Sequence, residues 1–308
     1  ITNVGINLGF INRINIAFEY YHRRTENVLY SGRVSSVITD ASVMRNVGEI
    51  TNNGIEFTLD ADIIKRPNFN WDLSINGARN RNMITKLYKD TYTGFFDSIW
   101  VEGASKDAWW LVRWAGVDPV TGAPMWYDYN GDLTYTFNYS DRVLLPQYTK
   151  QPELAGGFTN AFKIYDFDLR IMMDYSFGGW DYTLNFQDDG QNIIDENATV
   201  EELVYWKKPG DVCENPKFVY DHGTMSYYNS TRCLVSSTYI QLRSVSLGYN
   251  LPSKVTKVLR MRSANISLIG DNLYLWTPGQ RANKNSYTTM KYNMGMRRGG
   301  SIKLAVTF

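Results

Sequence analysis

The 308 residues carry 32 Lys and Arg against 31 Asp and Glu, a formal charge of +1, so no bulk field draws nucleic acid and nucleic-acid binding has no compositional support. The chain is 44% apolar, enough for a sizeable core in one large domain or two ordinary ones, and 15% aromatic. Its longest uninterrupted apolar run, Ala108-Trp109-Trp110-Leu111-Val112, falls far short of the roughly 20 residues a spanning helix needs. That excludes helical membrane topology but not a transmembrane β-barrel, whose alternate positions face water and keep mean hydropathy low.

In chain order, the candidate elements repeat apolar residues at period two and not 3.6, the signature of strands. After a weaker first member at residues 2–10, residues 12–24 set Ile14, Ile16, Phe18 and Tyr20 against Asn15, Ala17, Glu19 and Tyr21. Residues 54–64 set Ile55, Phe57, Leu59, Ala61 and Ile63 against Glu56, Thr58, Asp60 and Asp62. Beyond Pro67-Asn68, Phe69, Trp71, Leu73 and Ile75 alternate with Asn70, Asp72, Ser74 and Asn76, which predicts a hairpin. A second hairpin is predicted for 154–165 with 167–178, where Phe167, Leu169, Ile171, Met173, Tyr175 and Phe177 oppose Asp168, Arg170, Asp174 and Ser176. In 239–251 the apolar phase slips from Ile240 and Leu242 to Val245, Leu247, Tyr249 and Leu251, which predicts a bulge near Arg243 or Ser244. Residues 265–276 and 301–308 complete about nine strands, each near the ~9–11 residues with which a tilted strand crosses a bilayer.

The connections alternate between tight (10–13, 65–69, 165–167) and long (25–47, 82–152, 179–238, 277–298), with 251–262 intermediate and helical in character. Short turns on one rim and long loops on the other are the pattern of an outer-membrane barrel, whereas compact soluble domains rarely hold such loops. With the tight turns periplasmic, the ninth strand ends in the periplasm at Phe308. Single-chain bacterial barrels have even strand numbers, so further strands are expected before Ile1. Glu56, Asp60, Asp62, Asp72, Asp168, Arg170 and Asp174 on the polar faces are costly against lipid and cheap against a wet lumen. A soluble sandwich with one solvated face shows the same alternation. It does not account for aromatic residues recurring near strand ends, as with Phe69, Trp71, Tyr165, Phe167, Tyr175, Phe177, Tyr274 and Trp276, which suit interfacial girdles.

Cys213 and Cys233, the only cysteines, fit either one disulfide in an oxidising compartment or two separate thiols. Asp128-Tyr129-Asn130-Gly131-Asp132 starts like a calcium loop, but Leu133 and Tyr139 stand where the Gly and the final acid are required, so a hairpin turn is the better reading. The clusters Asp188-Asp189 and Asp195-Glu196 read as a solvated loop face. With two histidines, His22 and His222, and neither a G-x-S-x-G nor an H-E-x-x-H pattern, no catalytic residue, metal site or cofactor is indicated and the chain reads as a non-enzyme.

Several segments go beyond architecture. Asn52-Asn53-Gly54-Ile55-Glu56, then Phe69-Asn70-Trp71, then Asn80-Arg81-Asn82-Met83-Ile84-Thr85-Lys86-Leu87 resemble the N-x-G-x-E, f-x-W and N-x-N-x-I-x-x-L series of SusC/RagA-type TonB-dependent transporters. Gly116-Val117-Asp118-Pro119-Val120-Thr121-Gly122-Ala123-Pro124 is similar to their G-x-D-P-x-T-G-x-P loop. The stretch from Tyr239 to Pro252 resembles f-I-R-L-k-n-i-s-L-G-Y-n-L-P, and Gly270-Asp271-Asn272-Leu273 the later G-q-N-L. Gln241 departs from the family's usual Arg, and residues 294–300 lack its Pro-Ser-Arg-Thr lead into the final strand.

The resemblance implies an all-β fold: residues 1–308 as the C-terminal portion, about nine strands, of a 22-stranded antiparallel transmembrane barrel, with the plug and N-terminal regions outside the chain. It implies TonB-dependent import of a large nutrient, an oligosaccharide or oligopeptide, across the outer membrane of a Gram-negative bacterium. The implied partners are a SusD-like surface lipoprotein lid, the TonB complex through the N-terminal part, the glycan or peptide substrate, and outer-membrane lipid. Phe308 is then the signal read by the barrel-assembly machinery. Trp100, Trp109, Trp110, Trp114, Trp126, Trp180 and Trp206 fall in the long loops, where they either contact substrate or lid, or pack the loops on one another. A structural barrel subunit of a larger outer-membrane assembly, without a transport role, would carry the same sequence pattern.

Overall fold

A computed structural model describes residues 1–33, 42–88, 99–182, 204–217, 230–278 and 297–308. Four long strands come first: β1 (Thr2–Phe10), β2 (Ile14–Arg33), β3 (Ser42–Arg66) and β4 (Phe69–Leu87). Five small ones follow: β5 (Ala108–Leu111), β6 (Arg113–Val117), β7 (Pro124–Tyr127), β8 (Leu133–Thr134) and β9 (Val143–Thr149). Then come β10 (Leu154–Ile164), β11 (Phe167–Phe177), β12 (Trp180–Tyr182), β13 (Leu234–Ser236), β14 (Tyr239–Asn250), the helix α1 (Ser253–Val258), β15 (Ser263–Trp276) and β16 (Gly299–Thr307). The nine long strands make one antiparallel sheet in the order β1-β2-β3-β4-β10-β11-β14-β15-β16. No helix among the described residues is long and apolar enough to cross a membrane.

Register carries the argument about faces. Leu8 opposes Ile16, and the same rung continues through Leu59, Ile75, Phe158, Met173 and Leu242 to Tyr274, eight apolar or aromatic residues on eight strands. The neighbouring rung on the opposite face runs Asn15, Asp60, Ser74, Thr159, Met172, Ser244, Asp271. Because side chains alternate between faces, pairing at this register keeps every apolar row on one side across the whole sheet. Among the described residues no protein layer covers that side: Val4, Ile6, Ile266, Leu268, Ile302 and Leu304 are all exposed. Each such side chain gains roughly 1.5–3 kcal/mol when removed from water, so a row of them demands an apolar solvent. Asn160 is a polar residue within this face; Trp71 Nε1 donates to its Oδ1 at 3.0 Å, which satisfies one polar group without water.

The tight-turn rim is laced by backbone bonds. Tyr165 N donates to Asn68 O at 3.0 Å, Asn250 N to Asp166 O at 2.8 Å, and Arg262 N to Thr307 O at 2.7 Å. Turn curvature comes from left-handed residues, Ile11 (φ 54°) and Asn12 (φ 51°) in the first and Tyr165 (φ 53°) in the third. The expected bulge lies at Arg243, where the pairing shifts between Leu242 and Ser244, and the expected helix in 251–262 is α1.

The expected loop 25–47 is corrected: β2 continues to Arg33 and β3 starts at Ser42. Irregular pairing between Thr25 and Leu29, with Asn27 at φ 55°, interrupts the alternation. Polar residues on both faces from Arg23 to Asn27 hide the strand, because a stretch wetted on both sides has no reason to alternate.

Candidate functional site

The long connections at the other end of the sheet fold on each other and on the tops of β3 and β4. Asn82 of β4, 3% exposed, is bonded at both ends of its amide. Its Nδ2 donates to Asp107 Oδ2 (2.6 Å) and Gln151 Oε1 (2.8 Å), and its Oδ1 accepts from Ser105 Oγ (2.8 Å) and Lys106 N (2.9 Å). The amide thus ties β4 to both ends of the connection that leads to β10. Ile84, fully buried one alternation on, exchanges backbone bonds with the same segment, donating to Ala104 O and accepting from Gly103 N, both at 2.9 Å. At β3, buried Glu49 receives Arg24 through Nη2 at 2.6 Å and Nε at 3.1 Å. Two positions of the N-x-N-x-I series therefore do structural work.

Above this anchor, β5 pairs with β9 and buries Trp109, Leu111 and Leu145 against Tyr148, Trp180, Tyr182 and Leu234. Trp109 Nε1 donates to Trp180 O at 3.1 Å, which joins the β4–β10 connection to the β11–β14 connection. A second cluster sets Trp126 edge-on to Trp114 (75°, 5.4 Å) beside Val112 and Phe137. Trp114 N donates to Thr231 Oγ1 at 2.9 Å and Thr231 N to Val112 O at 2.9 Å, a second seam between the same two connections. Full burial of large apolar side chains contributes roughly 1.5–3 kcal/mol apiece, so the two clusters outweigh the individual cross-loop bonds.

The Asp118-Pro119-Val120-Thr121-Gly122 turn is built around one carboxylate. Asp118 accepts from Val120 N (2.9 Å), Thr121 Oγ1 (2.5 Å) and Tyr135 OH (3.3 Å). The Thr121 hydroxyl first, and then the Val120 amide, hold the carboxyl below the usual carboxylate range. Segment 204–217 docks on this turn: Trp206 Nε1 donates to Pro119 O at 2.9 Å, Gly210 N to the same oxygen at 2.8 Å, and Lys217 N to Gly122 O at 3.0 Å. Gly122 has φ 71°, and a Cβ there would lie 2.4 Å from the Trp206 ring.

The candidate contact residues separate by exposure. Trp109 is 3% exposed, with Lys150 Nζ 4.2 Å from its ring centre, so its faces are covered by the protein itself. Trp100, Trp110, Trp114, Trp180 and Trp206 are half-buried. The Arg142 guanidinium lies 3.8 Å over Trp110, and Arg232 lies 5.0 Å from Trp114. The seven charged residues expected along the lumen share one face by register, with Asp62 directly opposite Asp72, Asp168 opposite Lys163, and Glu56 opposite Ala78. Lys65 bridges Asp62 at 3.3 Å, and Arg243 lies 3.6 Å from Asp174.

Cys213 and Cys233 stand as separate thiols in the structure. Cys233 is buried in the short turn Thr231–Cys233, whereas Cys213 Sγ is turned into its own loop, 3.5 Å from Asn215 O. Burial, and secondarily Asp211, push the Cys213 thiol up. Asp128 closes the β7–β8 turn, its Oδ1 accepting from Gly131 N and Asp132 N, both at 2.8 Å, as a hairpin requires. Asp188, Asp189, Asp195, Glu196 and His222 lie outside the described residues. Asp107, Gln151 and Thr231 join the elements of this assembly with no sequence signal to mark them, because the joining partner of each lies tens of residues away.

No family model matches the chain. TonB-dependent receptors P3 and P26 of Formosa agariphila are each 24% identical to it, over 295 and 290 residues, covering 87% of the chain and 28% and 29% of the relatives. The TonB-dependent receptor SusC of Bacteroides thetaiotaomicron is 37% identical over 107 residues, 34% of the chain and 10% of that protein. The chain thus spans under a third of the length of the curated relatives it matches. Among solved structures, the RagAB peptide transporter superposes with a TM-score of 0.77 at 24% identity over 90% of the chain and 31% of its own. The open-open state of the RagAB peptide importer gives 0.82 at 22% identity over 99% and 34%.

Proposed function

From its relationship to SusC/RagA-type TonB-dependent transporters, whose fold it shares over most of its length, we propose that this chain forms part of the wall of an outer-membrane barrel. That barrel imports a large nutrient, an oligopeptide or oligosaccharide, with TonB as its energy source and a SusD-like surface lipoprotein as its lid. The observation that carries the reading is the unbroken apolar rung from Leu8 to Tyr274 backed by a face bearing Glu56, Asp60, Asp62, Asp72, Asp168, Arg170 and Asp174. One side suits hydrocarbon and the other a polar passage. The relatives are named receptors and transporters, which agrees with a chain that carries no catalytic pattern.

On this reading residues 1–308 are barrel, and the plug and TonB-contacting segment belong to other parts of the full-length protein. The lid docks on the loop assembly, where half-buried Trp100, Trp110, Trp114, Trp180 and Trp206 present ring surface to lid or substrate. Deleting the gene for the full-length protein and following uptake of labelled oligopeptides and oligosaccharides tests it. Loss of one class, restored by complementation and abolished by removing TonB, is expected; unchanged uptake of both would overturn the transport role and leave a structural barrel subunit.

A further inference from the structure

The apolar face is not uniformly filled. Val245 of β14 opposes Gly270 of β15, which opposes Gly300 of β16, so two adjacent strands carry no side chain at one level. One step toward the tight-turn rim, Leu247, Leu268 and Ile302 stand in a row. The result is a groove of about 470 Å³ across three strands, walled by Val245, Leu247, Leu268 and Ile302 and bounded by Leu273, whose side chain covers Gly270 and leaves the level of Gly300 open. A Cβ at Gly300 would meet no atom within 4 Å.

The level of the groove is set by chain length. Gly299–Thr307 spans 9 residues, and at roughly 3.3 Å per residue and a tilt of about 40° it climbs ~23 Å, close to the ≈ 25 Å apolar band of such barrels. Arg297 and Arg298, both exposed, therefore stand at the headgroup level directly above the groove. Carried one residue past the start of β16, the alternation of Ile302 and Gly300 assigns Arg298 to the lipid side. Its approach is braced from within the sheet. Gln241, 2% exposed, donates through Nε2 to Asn272 Oδ1 (2.9 Å), and Asn272, at φ 54°, donates through Nδ2 to Arg297 O (3.2 Å). Tyr274 and Trp276, exposed on β15 near this level, offer ring surface at the same interface.

Resting on the outer-membrane reading above, we propose that this groove is a binding site for a phosphate-bearing lipid of the outer leaflet. One acyl chain lies over Gly300, alongside the Leu273 side chain that covers Gly270, and the phosphate sits on Arg298. A guanidinium and a phosphate form charge-assisted, forked hydrogen bonds that a neutral headgroup cannot replace, so the selectivity is for phosphate and the groove supplies shape.

The full-length protein, extracted in detergent from outer membranes, would be titrated with lipid A and with dephosphorylated lipid A and read by native mass spectrometry. Retention of the phosphorylated form exceeds the other by about tenfold, the worth of one charge-assisted contact. Arg298→Glu abolishes that preference, Arg298→Lys keeps part of it, and Gly300→Phe, which enters open space, lowers retention of both lipids. Equal retention of the two lipids by the unmodified protein, or a preference unchanged in Arg298→Glu, would overturn the proposal. Absence of the protein from the outer-membrane fraction would instead defeat the reading on which it rests, and heat-dependent gel mobility checks that each variant is folded.

Discussion

At the scale of the residue, single polar side chains hold long connections in place. Asn82 makes four hydrogen bonds to partners on both ends of the β4–β10 connection. Asn82→Leu fills similar volume but leaves Asp107 and Gln151 short of a donor, at roughly 1–3 kcal/mol for each stranded group. Faster hydrogen exchange across 99–108, with the sheet unchanged, is the expected result. Gly122 is held differently, by a left-handed backbone and a ring against its Cα. Gly122→Ala is expected to undock Trp206 and red-shift tryptophan emission, whereas Gly131→Ala, strained in φ but with only Arg113 within 4 Å of the added Cβ, is not. Asp118 gives a pH dependence whose sign is fixed. Its folded value lies below the ordinary one, so its contribution is fully present above the unfolded carboxylate value and is lost only as pH falls through the depressed folded value. The Val120 amide should stay protected down to more acidic pH than a free carboxylate would allow, and Asp118→Asn should remove that acid limb.

At the scale of the element, alternation made most of the fold readable. The Ile240-Leu242 to Val245-Leu247 phase slip places a bulge near Arg243 or Ser244, and it lies at Arg243, because a one-residue insertion is the way to change faces while both remain committed. What alternation cannot report is a strand wetted on both sides, and so the sequence of the upper parts of β2 and β3 reads as loop. The cross-connection pairing of β5 with β9, and the seam at Thr231, were equally invisible, since they depend on contacts between distant segments. The first turn departs from preference: Ile11, β-branched and 90% exposed, sits at φ 54°. A left-handed residue of this kind costs roughly 1–2 kcal/mol, which Asn tolerates better. Ile11→Asn is therefore expected to raise the temperature at which the folded band disappears in unboiled gel electrophoresis.

At the scale of the whole molecule, the sheet has two open edges, β1 and β16, each with a row of backbone groups facing no strand among the described residues. Neither lipid nor water-poor interface tolerates such an edge, so expressed by itself in detergent the chain should oligomerise through strand pairing, measurable by light scattering. We propose that Phe308, 85% exposed just after β16, is gripped by an assembly factor. Removing it is expected to lower the amount of full-length protein in the outer membrane more than the uptake per assembled molecule.

The length of β3 carries one more consequence. Its 25 residues climb ~60 Å at the usual tilt, while hydrocarbon accounts for only ≈ 25 Å. On the proposed outer-membrane reading, this part of the wall, with β2 and β4 beside it, is a collar that holds its rim some 30 Å or more clear of the bilayer. A docked partner would rest on a pedestal taller than the lipid headgroups, and the collar's height, fixed by the count of paired residues, would act as the ruler for how far from the membrane surface a substrate is first met.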